Sequence, residues 1–158
     1  MKSNYLFPYR FKKIGWLLII PGVILGIFYL AFEMEPKFLE IPVFAIALDT
    51  FMGKTRWFTV TENNILDEII TTLIVAGGIF VALSRQKSED EFISQIRLES
   101  LVWATYVNYA ILIFTTLFIY DMTFFWVLVL NMYTVLFFFI ARFHWALYLI
   151  KNKDNNEE

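Results

Sequence analysis

Residues 88–115 read SEDEFISQIRLESLVWATYVNYAILIFT. The stretch opens charged and continues, with no Gly or Pro and no charge beyond Glu99, into apolar sequence. These residues predict one helix that starts in water and enters a bilayer. Ser88 and Glu91 have the S-x-x-E spacing of a capping box, in which each side chain meets the other residue's amide. Asp90 and Glu91 add negative charge to the first turn, where the helix dipole favours it. Winding at ~100° per residue sets Asp90, Ser94, Arg97, Ala104, Asn108 and Thr115 on one stripe, and Glu91, Gln95 and Glu99 on another, wet face. Capping and helix packing account for each of these residues taken singly, since small and polar side chains commonly join membrane helices.

The 158 residues are 59% hydrophobic and 20% aromatic, with 18 Phe. A mean hydropathy of +0.61 is too high for a soluble domain of this size. Four segments are long enough for a bilayer crossing, which takes ~20 residues: about 14–32, 65–83, 98–119 and 124–150. The first is followed by Glu33, Met34 and Glu35 rather than by small residues, unlike a cleaved signal peptide. The expected fold is therefore an all-α membrane protein, a bundle of four transmembrane helices. One domain covers 1–150, and the polar tail KNKDNNEE at 151–158 is expected to be disordered.

Between the first two segments, IPVFAIAL (41–48) and TRWFTVT (55–61) are rich in β-formers, and DTFMGK between them has turn chemistry. A small extracytoplasmic β-hairpin, at about 38–62, is the expectation. Asn63 or Asn64 is placed to cap the second helix, with Asp67 and Glu68 in its first turn. Gly22-x-x-x-Gly26 and Gly77-Gly78 are candidate points of close helix approach. The last two segments are joined so briefly, at 120–123, that they must be antiparallel neighbours. Counting at ~1.5 Å per residue from that turn puts Asn131 one turn nearer the outside than Asn108, and Arg142 at the level of 97–101. Glu99, Asp90 or a lipid phosphate are then the expected partners of Arg142. A carboxylate or a lipid phosphate is likewise expected for Arg97.

Lys2, Arg10, Lys12, Lys13, Arg85, Lys87, Arg97, Arg142, Lys151 and Lys153 fall on one side of this plan, and Lys37, Lys54 and Arg56 on the other. Ten against three predicts both termini in the cytoplasm of a bacterial inner membrane. The basic, aromatic N-terminus MKSNYLFPYRFKK is expected to act as an interfacial anchor and not to bind nucleic acid directly.

The run ENNILDE before a hydrophobic helix, followed by SEDEFISQIRLESLVWATYVNYA, resembles uncharacterised small four-helix integral membrane proteins of Bacteroidota. The D-E-x5-R-x2-S core (Asp90, Glu91, Arg97, Ser100) is similar to a cytoplasmic motif of small membrane proteins encoded beside helix-turn-helix regulators. The resemblance implies control of such a regulator from the membrane. It implies no catalytic residues.

No Cys and a single His exclude thiolate metal sites and make a His-based one unlikely within one chain. No catalytic, cofactor-binding or metal-ligating set is expected, and the protein is not expected to be an enzyme. The candidate polar or interaction residues are Asp90, Glu91, Arg97, Glu99, Asn108, Asn131 and Arg142. The expected function is a non-enzymatic sensor or accessory module that engages a protein partner through its cytoplasmic 84–100 segment. The alternative is a small oligomeric transporter or channel, since polar groups inside a membrane often mark a pathway. The bilayer, a homo-oligomer and a cytoplasmic regulator are the expected partners.

Overall fold

A computed structural model describes residues 6–32, 36–48, 55–87 and 90–157. In chain order these form α1 (Arg10–Phe32), a 3-10 turn (Lys37–Leu39), β1 (Glu40–Leu48), β2 (Arg56–Asn64), α2 (Leu66–Ala82), α3 (Glu91–Phe118) and α4 (Asp121–Glu157). The chain divides into two compact units, one of Met1–Ile19 with Ile74–Glu158, the other of Ile20–Leu73.

Among the described residues, three helices are long and apolar enough to cross a membrane: 10–32, 91–118 and 121–150. Four were expected, and α2 is the exception. Its 17 residues reach about 25 Å, short of the ~30 Å hydrocarbon core. The reason lies at its C-terminal end. The Ser84 hydroxyl turns back to the Phe80 carbonyl, while the Leu83 carbonyl and the Arg85 amide both bond Phe7. The apolar pattern ran on through Leu83 and did not mark that stop. Large apolar side chains on the other helices point outward, with Leu17 73% and Tyr106 72% exposed. Such a surface suits a lipid solvent better than water.

In the larger unit, α1 and α2 run antiparallel. Phe7 pairs with Ser84, Phe11 meets Phe80 with ring centroids 5.3 Å apart, and Gly15 faces Gly77. A Cβ on Gly15 would lie 2.7 Å from the Gly77 carbonyl oxygen. Gly78 turns to another face of α2, against Leu136 of α4. The adjacent glycines thus admit two different helices. The close approach at Gly15 was not singled out from the sequence. Helices α3 and α4 are antiparallel neighbours, as expected, with Asp121 in the left-handed region (φ 59°) at their turn, which Asp tolerates better than most residues. Ile74, Val81, Ala104, Phe139, Ile140 and Phe143 form the buried apolar core.

Two termini of these helices differ from expectation. Ser88 lies outside the described residues, and α3 begins at Glu91 with Asp90 as its N-cap, the carboxylate accepting from the Ile93 amide at 2.8 Å. Asp is as good a cap as Ser, so the later of two competent residues takes the position. At the other end α4 runs on to Glu157, through the tail expected to be disordered. No Gly or Pro interrupts 121–157, so each residue added to a formed helix costs little.

In the smaller unit the expected hairpin is present. β1 and β2 pair antiparallel from Glu40↔Asn64 to Leu48↔Arg56, and the turn expected at 49–54 lies outside the described residues. The strands run three residues beyond the expected Thr61 because Asn64 is tied at both ends of its amide. Its Nδ2 donates to the Pro36 carbonyl (3.1 Å), and its Oδ1 accepts from the Leu66 amide (3.1 Å), capping α2. Asn63 Nδ2 donates to the Glu68 carboxylate at 2.8 Å.

Candidate functional site

The charged start of α3 gains its shape from Arg97. Two turns into the helix, its side chain is only 9% exposed. Nη1 donates to the carbonyl oxygens of Ala82 (2.8 Å) and Ser84 (3.3 Å). Those carbonyls belong to the end of α2, where the helix supplies no donors of its own. The guanidinium also lies 4.7 Å above the Phe143 ring. Arg97 thus joins α2, α3 and α4, a role the sequence did not give it.

The N-terminal segment braces the same place. Phe7 and Phe11, both half-buried, pack on Phe80 at 5.3 Å each. Lys12 donates to the Gln86 side chain at 3.0 Å. Lys87 lies 5.8 Å from the Tyr9 ring centroid.

Beside this junction a groove of about 1340 Å³ opens among α2, α3 and α4. Its polar end is lined by Arg85, Asp90, Glu91, Ser94, Gln95 and Arg97. Its apolar end is lined by Val75, Ile79, Leu98, Leu101, Leu136 and Phe139, among others. The start of α3 from Asp90 onward therefore forms a charged mouth above an apolar channel.

Of the seven candidate residues, the groove brings together Asp90, Glu91 and Arg97. Glu99 lies outside it, on the exposed face, accepting from Gln95 Nε2 at 3.1 Å. Asn108 is buried on α3, where its Oδ1 is a partner of the Thr134 hydroxyl of α4. That hydroxyl is also 2.6 Å from the Asn131 carbonyl, and its single proton serves one acceptor at a time. Asn131 is on the neighbouring turn, and its buried Nδ2 has no hydrogen-bond partner. Arg142, for which Glu99, Asp90 or a lipid phosphate was expected, has its guanidinium 5.0 Å from the Trp103 ring centroid. Helical side chains lean toward the helix N-terminus. For α4 that direction is deeper into the bundle, where Trp103 stands one turn below Glu99.

Arg85 and Gln95 were not singled out from sequence as site residues. Their position became visible only when α2 and α3 were set side by side. Among the described residues there is no group of three or more His, Cys, Asp or Glu able to hold a metal ion. The smaller unit has a separate polar recess lined by Tyr29, Glu40, Glu62, Asn63, Asn64 and Asp67, built from the residues that tie the hairpin to α2. Comparison with family models, with curated proteins and with solved structures finds no match.

Proposed function

We propose that this protein is a multi-pass membrane module without catalytic activity, which engages a protein partner through its 84–100 segment. One observation carries this. Arg97, Phe7 and the end of α2 hold 82–85 in place, and Arg85, Lys87, Glu91, Gln95 and Glu99 stand exposed beside them. A rigid, polar face with both signs of charge suits specific docking, because like-charge mismatches reject wrong partners. The partner proposed is a compact helix-turn-helix regulator, in line with the resemblance of the Asp90–Glu91–Arg97–Ser100 motif.

The four-crossing topology belongs to the same proposal. Although α2 is short, its antiparallel pairing with α1 supports a return of the chain to the side it left. The Lys and Arg distribution then puts both termini and the 84–100 face in the cytoplasm, with the hairpin outside a bacterial inner membrane. A photo-crosslinking residue at Gln95 or Glu99, in native membranes, should give one defined adduct with such a regulator. The same residue at Met122 should give none. Adducts alike from both sites, or from neither, would overturn the docking role.

A small oligomeric transporter or channel is the second proposal. It is favoured by the buried Asn131 amide that lacks a partner, since intramembrane polar groups often mark a pathway. Solute or ion flux in reconstituted vesicles, abolished by Asn131→Leu, would put it first.

A further inference from the structure

The groove has the two-part chemistry of an amphiphile. Along α3 its lining passes from Glu91 through Ser94 and Gln95 to Leu98 and Leu101. Across from Leu98 and Leu101 the apolar wall continues on α4 from Met132 to Phe139, about 10 Å of helix, which fits within one leaflet of a hydrocarbon core about 30 Å thick. At about 1340 Å³ it exceeds the usual 300–1,000 Å³ of a small-molecule pocket. Two guanidinium groups, Arg85 and Arg97, and two carboxylates, Asp90 and Glu91, line its mouth. Arg97 is held in place by two carbonyl oxygens, so the positive field there is fixed. A purely anionic headgroup would find the guanidinium groups but would also meet the carboxylates. A zwitterion carrying a phosphate and a primary ammonium complements both.

We infer that this groove binds a zwitterionic phospholipid with a primary ammonium headgroup. One acyl chain lies along Leu98 and Leu101. The phosphate faces Arg85 in the field of Arg97, and the ammonium faces Glu91 and Asp90. The inference rests on the proposed membrane location, and the bound lipid becomes part of the face offered to a partner.

Native mass spectrometry of the full chain tests it. The protein is purified from nanodiscs holding equal amounts of phosphatidylethanolamine, phosphatidylglycerol and phosphatidylcholine. The wild type should keep phosphatidylethanolamine in preference to the other two by about twofold to fivefold, the discrimination expected of a partly exposed ion pair. Glu91→Gln should remove the preference while lipid stays bound. Leu101→Trp, at an exposed position that lines the groove, should evict the lipid without unfolding the bundle. Retention in proportion to supply overturns the headgroup assignment. Lipid-free wild type, or wild-type lipid levels in Leu101→Trp, overturns the groove as a lipid site. These measurements use the isolated chain, so they succeed or fail separately from partner crosslinking.

Discussion

Asn108 of α3 and Thr134 of α4 share a hydrogen bond, although Asn108 stands ten residues before the end of α3 and Thr134 thirteen after the start of α4. A polar pair between two membrane helices has little water to compete for it, yet such bonds contribute only ~0.6–2 kcal/mol. Asn108→Leu and Thr134→Val are each expected to lower stability by about that amount and to leave the fold intact. Because they remove one shared bond, the double variant should cost less than the sum. Denaturant titration in micelles checks this, and strict additivity would contradict the pairing.

Arg97→Ala strips the donors from the Ala82 and Ser84 carbonyls and uncovers Phe143. A hydrogen bond from a charged group contributes about 1.5–3 kcal/mol, and a loss of that size is expected. Faster amide exchange should appear at 82–85 before anywhere else in α2. Exchange unchanged there would mean that Arg97 does not hold this junction.

Gly15→Ala and Gly77→Ala each place a methyl group against the opposing backbone, 2.7 Å and 2.9 Å from a carbonyl oxygen. Replacing Gly by Ala within a helix ordinarily gains about 1 kcal/mol. Overpacking costs about 1–3 kcal/mol, so both variants should be destabilised by up to about 2 kcal/mol. The double variant should be less than additive, since one separation of the helices relieves both. A stabilised Gly15→Ala would show that α1 and α2 are not in contact there.

Reporter fusions decide how many times the chain crosses. Reporters at Glu158 and within 85–87 should lie on the same side, and reporters within 49–54 and at Asp121 on the other. A fusion within 85–87 that reports from the same side as the one within 49–54 would mean that α2 does not cross.

Asn64→Ala removes both the cap on α2 and the tie to Pro36. Loss of an N-cap costs about 0.5–2 kcal/mol, and faster exchange at the Leu66 amide should accompany it. An unchanged rate at that amide would argue against the cap.

The sequence determined what depends on neighbours along the chain. Of the four apolar runs read as long enough to cross a membrane, three form such helices among the described residues. Two β-rich runs about a turn gave the hairpin, and the short joint between the last two apolar segments gave the antiparallel α3 and α4. Helical period gave the stripe on which Arg97, Ala104, Asn108 and Thr115 are all buried. Tertiary structure decided what depends on residues far apart in sequence. Local pattern allowed two caps for α3, and Asp90 is the one that caps it. It could not tell that α2 stops at Ala82, because Phe7 takes up the next carbonyl. It named Gly77 as a point of close approach, whereas its partner Gly15 is set by the register of two helices. For Arg97 the sequence suggested a carboxylate or a lipid phosphate, and only the packed end of α2 adds carbonyls lacking intrahelical donors. The groove exists for the same reason: no single helix contains it, and only the packing of three brings a charged mouth over an apolar channel.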